Sequence, residues 1–220
     1  MSDETSTDTD PDTHAEQPGG ADVGPPPTPP EPPLPPLPPR RGWLFAVVAP
    51  VVLVADIITK ILAIAALAGE PPARVLGGLV YLQIVRNPGA AFGMATGMTW
   101  LLTCVALAVV VAIIWIMPKL RSVGWAIGLA LVLAGALGNL IDRFFREPGP
   151  LRGHVVDFVS VFQPNGDFFP VFNIADSAIV CGGILIVLMA LLGRDYDGRL
   201  TKDKAADKAA GKDLDKAPEK

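Results

Sequence analysis

Two carboxylates stand where an apolar chain should exclude them: Asp157 in His154-Val155-Val156-Asp157-Phe158 and Asp176 in Phe172-Asn173-Ile174-Ala175-Asp176. An ionisable group at or near hydrocarbon costs at least about 2.5 kcal/mol, so an acid kept there is by default a functional candidate. Two carboxylates brought into contact cannot both ionise easily and share one proton. Such a pair offers a base to activate water and an acid to protonate a departing amide nitrogen, which is the chemistry of peptide hydrolysis. Asn173 and Asp176 also have the spacing of a helix N-cap and an acid at the third helical position, and capping with the helix dipole favours both residues there without any chemistry. Asp157 tips the balance, because the loop between the two acids is long enough to fold back to the same membrane face.

Other polar residues are placed to support such a pair. Gly138-Asn139-Leu140-Ile141-Asp142-Arg143 sets Asn139, Asp142 and Arg143 on neighbouring helix surfaces one turn apart, either as a hydrogen-bonded scaffold or as a helix end with a snorkelling arginine. Asn87, at the turn Arg86-Asn87-Pro88-Gly89, can donate and accept hydrogen bonds toward a substrate or cap its own loop. Asp56 and Lys60 interrupt an otherwise apolar run.

The elements that must position these residues are long apolar segments. Half of the 220 residues are hydrophobic and only 18% are charged, and the mean hydropathy is +0.43. Crossing a bilayer takes about 20 apolar residues per helix, and four stretches qualify: 43–67, 99–117, 123–141 and 174–192. The charges concentrate at the ends, so the net charge of -4 comes mainly from an acidic tail, and no basic surface for nucleic acid is implied. The expected organisation is a disordered acidic and proline-rich tail over 1–41, a four-span domain over 42–193 and a charged tail over 194–220. The run Pro32-Pro33-Leu34-Pro35-Pro36-Leu37-Pro38-Pro39 suits an extended polyproline helix.

Basic residues set the orientation. Arg40 and Arg41 precede the first span, Lys119 and Arg121 fill the turn after the second, and Arg194, Arg199, Lys202 and Lys204 follow the fourth. Both termini are therefore expected in the cytoplasm, with the loops over 68–98 and 142–173 outside. The run Val75 to Val85 is β-branched and aromatic and reads as one or two strands, whose free edge could pair with an extended peptide. Cys104 and Cys181 lie within spans without CxxC spacing and read as small buried thiols. His14 and His154 lack a second metal-ligating partner at suitable spacing, so no metal site is expected.

Three function classes fit an acid-bearing four-span chain. A proton relay through Asp56, Asp142 and Asp176 would suit a transporter, which usually needs more spans or an internal repeat. A non-enzymatic scaffold would use its polar residues only to join helices. The third is the peptidase. Here the motifs act as a set: Asp56 with Thr59-Lys60, Asn87-Pro88-Gly89-Ala90-Ala91-Phe92-Gly93, Gly138-Asn139-Leu140-Ile141-Asp142-Arg143, Val155-Val156-Asp157-Phe158 and Phe172-Asn173-Ile174-Ala175-Asp176. In this order, over about residues 43–193, the chain resembles the lipoprotein signal peptidase (signal peptidase II) family.

The resemblance implies an α-helical membrane protein of four transmembrane helices with a small extracytoplasmic β cradle, in the bacterial cytoplasmic membrane, with its active site near the outer face. It implies an aspartic endopeptidase that removes signal peptides from diacylglyceryl-modified prolipoproteins, on the N-terminal side of the lipidated cysteine. No cofactor is needed, membrane lipid surrounds the substrate, and the cyclic peptide globomycin is the expected inhibitor. Asp157 and Asp176 correspond to the catalytic pair; Asn87, Asn139, Arg143 and Asn173 to residues that hold substrate and pair; Asp56 and, with the Asn139 and Arg143 motif, Asp142 to supporting acids. Residues 144–153 are longer than the family pattern and are expected to extend a surface loop. The proline-rich front end also lies outside that pattern.

Overall fold

The computed structural model describes residues 36–89 and 98–203. Most of the expected front tail, the end of the rear tail and the Ala90-Ala91-Phe92-Gly93 part of one motif lie outside the described residues. The chain runs α1 (Gly42–Leu67), β1 (Ala73–Val75), β2 (Val80–Asn87), α2 (Thr99–Ile116), α3 (Val123–Phe145), β3 (Val155–Val161) and α4 (Ile174–Leu191), with single 3-10 turns between. All four helices are long and apolar enough to cross a membrane.

Helix α3 is the axis of the bundle. Of its most apolar stretch 61% is buried within the protein, against 17% for each of the other three helices. Small residues make that possible, since apolar side chains gain little from leaving lipid and helices associate where backbones can approach. A Cβ on Gly128 would lie 3.1 Å from the Gly182 carbonyl oxygen of α4, and one on Gly182 would lie 2.6 Å from the Gly128 carbonyl oxygen. One turn before the polar residues of α3, a Cβ on Gly135 would strike the Ala175 carbonyl oxygen. These glycines bring the start of α4, and with it Asp176, against the last turns of α3.

The third span is longer than the apolar run suggested. It continues from 141 to Phe145 because Asn139, Asp142 and Arg143, which would end a lipid-facing helix, are buried and find partners inside the protein. Residues 146–153 then fold back over the end of α3. Gly153 N–H donates to the Arg143 carbonyl at 3.0 Å, and the Leu151 carbonyl accepts from the Thr103 hydroxyl of α2 at 3.1 Å. This segment is docked rather than free.

The sheet also corrects the sequence reading. The stretch after α3 was expected to be loop, but Val155–Val161 forms β3, giving a three-stranded antiparallel sheet of order β1-β2-β3. In its register Val85 lies opposite Asp157 and Asn87 opposite Val155, with an irregularity between Leu82 and Val85. The free edge expected for residues 75–85 is absent from β2, which is paired on both sides. Phe172 bridges to Val159 on the outer side of β3.

At the opposite end of the bundle the Arg121 side chain donates to the Pro38 carbonyl. The Trp125 indole N–H donates to the Arg194 carbonyl at 2.7 Å. The two cysteines are not buried thiols: Cys104 and Cys181 are both exposed. On a lipid-facing helix apolar composition does not distinguish core from perimeter, which is why the sequence placed them inward.

Candidate active site

The polar centre forms where the last turns of α3 meet the sheet and the start of α4. Asn173 is the N-cap of α4. Its side-chain oxygen accepts the Asp176 N–H at 2.9 Å, and an Asp176 carboxylate oxygen accepts the Asn173 N–H at 3.2 Å. This reciprocal capping box fixes the Asp176 side chain at the helix entrance. With its oxygen so engaged, the Asn173 amide nitrogen points the other way, 2.7 Å from Asp157 Oδ1 and 3.2 Å from the Val156 carbonyl. The capping reading and the paired-acid reading thus coexist in one residue.

Asp157 Oδ2 accepts from the Asn87 amide at 2.9 Å, while Asn87 Oδ1 accepts the Gly89 N–H at 2.9 Å. Asn87 therefore both caps its turn and reaches across the sheet to Asp157. Asn139 donates to Asp176 Oδ1 at 2.7 Å, and its own oxygen faces the Asn173 amide at 3.3 Å. Both acids are thereby fastened through amide side chains that touch each other. Arg143 is buried, donates to the carbonyls of Asn139 and Gly89 at 3.3 Å each, and carries its charge beside Asp176, Asp157 and Asp142.

Behind this layer lies an ionic one. Lys60 Nζ is 2.8 Å from Asp56 and 2.9 Å from Asp142, and donates to Asn139 Oδ1 at 3.2 Å. Arg146 completes the group by pairing with the other oxygen of Asp142. Asp56 Oδ1 accepts the Ala175 N–H at 2.9 Å, and Asp142 Oδ2 accepts the Val156 N–H at 3.2 Å. With one proton on the pair, its single negative charge and those of Asp56 and Asp142 are balanced by Lys60, Arg143 and Arg146.

All eight residues singled out from the sequence, Asp56, Asn87, Asn139, Asp142, Arg143, Asp157, Asn173 and Asp176, fall in this one network. Lys60 and Arg146 were not assigned a place in it. For Lys60 a signal existed: it stands four residues after Asp56, on the same face of an apolar helix.

Burial first, and then the charge of neighbouring Asp176, push Asp157 up to about 7 against the opposing pull of the Asn87 and Asn173 amides and the Lys60 ammonium. Asp157 and Asp176 both face a cleft of about 520 Å³. Its polar floor includes Asn87, Asn139 and Arg143, and its apolar wall includes Phe169, Phe172, Ile179 and Val180. A cleft lined by apolar side chains together with two carboxylates can hold an apolar peptide beside two groups able to exchange protons with water.

Four apolar spans, a small sheet and a polar centre at their junction define a multi-pass membrane protein. The sequence profile of signal peptidase (SPase) II matches residues 48–192, and the chain belongs to that family. It is thus a peptidase of bacterial membranes. The lipoprotein signal peptidase of Rhodococcus jostii (strain RHA1) is 57% identical over 159 residues, covering 72% of this chain and 78% of that protein. The lipoprotein signal peptidase of Mycolicibacterium smegmatis is 48% identical, covering 96% of this chain and 83% of that one. Its counterpart in Mycobacterium tuberculosis (strain H37Rv) is 48% identical, covering 90% of this chain and 91% of its own. A solved bacterial membrane enzyme, determined by the in meso method at 2.3 Å, superposes with a TM-score of 0.60 at 29% identity, covering 70% of this chain and 92% of that one.

Proposed function

We propose that this peptidase is an aspartic endopeptidase that cleaves the signal peptide from diacylglyceryl-modified prolipoproteins, on the N-terminal side of the lipidated cysteine. The observation that carries the reading is the shared suspension of Asp157 and Asp176, through Asn173 and Asn139, on the floor of one cleft. The lipoprotein specificity of the named relatives supports the substrate.

In the proposed reaction the pair enters with one proton. The ionised carboxylate takes a proton from a water that attacks the carbonyl preceding the lipidated cysteine. The protonated carboxylic acid hydrogen-bonds to that carbonyl and then passes its proton on, giving a gem-diol. In the collapse the acid that took the water proton passes it to the departing nitrogen as the C–N bond breaks, while the other carboxylate takes the proton of one gem-diol hydroxyl, so the pair returns to its one-proton state. Neither a metal nor an acyl-enzyme takes part. Asn87 and Asn173 hold Asp157, Asn139 holds Asp176, and Arg143 offsets the negative charge of the pair. The diacylglyceryl chains lie in the bilayer beside the apolar wall, so the membrane delivers the scissile bond to a fixed depth.

In this reading residues 42–193 are the peptidase domain, flanked by cytoplasmic tails, and the sheet with the two acids lies toward the outer face of the cytoplasmic membrane. The basic residues at 40–41, 119–121 and 194–204 support that orientation. The test is a purified-component assay: the protein in lipid, mixed with a diacylglyceryl-modified prolipoprotein, should release the signal peptide and be stopped by globomycin. Solute or proton flux without cleavage would instead favour a transporter.

A further inference from the structure

The ionic layer behind the acids has a connectivity that the proposed reaction does not use. Asp142 accepts the N–H of Val156, the residue directly before Asp157, and Asp56 accepts the N–H of Ala175, the residue directly before Asp176. Each acid of the pair therefore has its own backbone held by a second acid. Those two holding acids come from different helices, α3 and α1, and one ammonium joins them: Lys60 lies 2.9 Å from Asp142 and 2.8 Å from Asp56. Its third contact, at 3.2 Å, is the oxygen of Asn139, whose amide donates to Asp176.

An ammonium has three donors, and here they serve the strand that carries Asp157, the helix that carries Asp176 and the amide between them. Lys60 is 1% exposed and is not among the residues that line the substrate cleft. A charged side chain this deeply buried in a spanning helix must be balanced by fixed partners, and a geometry this complete does not arise from snorkelling.

We infer that Lys60 is a positioning residue: it sets the separation and orientation of Asp157 and Asp176 by clasping the two carboxylates that hold their backbones. The inference rests on the peptidase reading above and assigns Lys60 a role within it. Without the ammonium, no cation stands between Asp56 and Asp142, Asp142 keeps its Arg146 pair alone, and strand β3 and the start of α4 lose their common anchor. Reacting groups displaced by about 1 Å can lose on the order of a hundredfold in rate while the substrate still binds.

The space for a test already exists. A cavity of about 260 Å³ opens beside the clasp, lined by Asp56, Lys60, Asp142 and Arg146 among others. In Lys60→Ala it admits a small alkylammonium ion to the vacated position. With the full chain in lipid and the lipidated prolipoprotein as substrate, Lys60→Ala should lower kcat at least about tenfold with KM within about twofold. Millimolar ethylammonium should restore kcat several-fold, and tetramethylammonium, which cannot donate, should not. Wild-type kcat in Lys60→Ala overturns the inference, and so does a low kcat that ethylammonium leaves unchanged. If Lys60→Ala yields no folded protein, Asp56→Asn/Lys60→Met replaces it, because this pair of changes leaves the charge sum unaltered and keeps an acceptor for the Ala175 N–H. Its kcat should again fall at least about tenfold at near-normal KM, and wild-type kcat there overturns the inference. Asp157→Asn is run in parallel: activity in that variant rejects the peptidase reading itself, whereas an inactive Asp157→Asn beside a fully active Lys60 variant rejects only the role of Lys60.

Discussion

The Asn173 amide nitrogen lies 2.7 Å from Asp157 Oδ1, and the oxygen of the same amide accepts the Asp176 N–H at 2.9 Å. One side chain thus orients both acids, donating to the first and holding the backbone of the second. Its planar amide transmits any shift of one segment to the other. Asn173→Ala removes a helix cap, at a cost of about 1 kcal/mol, and leaves Asp157 without a charge-assisted hydrogen bond of about 1.5–3 kcal/mol. Turnover should fall at least about a hundredfold. Asn173→Asp separates the two duties: aspartate caps as well as asparagine, but it sets a carboxylate oxygen against Asp157. Steady-state assays should find Asn173→Asp as inactive as Asn173→Ala, whereas a residue needed only as a cap would tolerate it.

A pH dependence follows from Asp157. With its carboxyl raised from 3.8 to about 7 by burial and by Asp176, the pair holds its working proton below that pH and loses it above. The kcat/KM profile should therefore decline on the alkaline side with a midpoint near 7. The same shift bears on stability. Because the folded protein holds this proton more tightly than the unfolded chain, the contribution is fully present below 3.8 and is lost as pH rises through about 7. Asp157→Asn cannot lose it, so its stability relative to wild type should improve between pH 5 and pH 8. Thermal melts in detergent at the two pH values measure the difference, and a pH-independent difference would contradict the raised carboxyl.

Glycine 138 tests the ionic layer from the α3 side. A Cβ there would run into the Asp56 carboxylate and come within 3.1 Å of the Ala175 Cβ. Gly138→Ala should destabilise by about 1–3 kcal/mol, as overpacking does, and reduce activity with it. Gly183, on α4, is the control, since a Cβ there meets nothing within 4 Å. Gly183→Ala should stay within about 0.5 kcal/mol of wild type and remain fully active.

How far the sequence revealed this arrangement depended on contrast. Acids and amides in an apolar chain are conspicuous, so Asp56, Asp142, Asp157 and Asp176 with Asn87, Asn139 and Asn173 could each be singled out, and the resemblance of their motifs to signal peptidase II joined them as one site before any coordinates. Strand β3 could not, because Val155, Val156, Asp157 and Phe158 are all buried. A strand covered on both faces lacks the alternation that marks a half-solvated one. The perimeter was equally hidden, since lipid and protein core favour the same residues, and Cys104 and Cys181 were placed on the wrong side. Lys60 was visible as a charge but not as a junction, because its partner Asp142 is 82 residues away and only the fold unites them.

The exposure of those cysteines gives a further prediction. Cys181 lines the cleft with Asp176, whereas Cys104 lies on α2 and is not among the cleft residues. A bulky membrane-permeant maleimide should inactivate the wild-type protein and spare Cys181→Ser, with Cys104→Ser behaving like wild type. Mass spectrometry of the labelled chain, read beside residual cleavage, decides whether loss of activity follows occupancy of Cys181.

The central claim is that Asp157 and Asp176 act together on one water, and single-residue replacement tests it most directly. Purified Asp157→Asn and Asp176→Asn, each inserted and folded as shown by thermal melting, are given a diacylglyceryl-modified prolipoprotein, and signal-peptide release is followed over many wild-type turnovers. The expected result is no release above background from either variant. Turnover by either one at more than about a tenth of the wild-type rate would contradict the account, because a lone carboxyl cannot be the ionised base and the protonated acid in the same step.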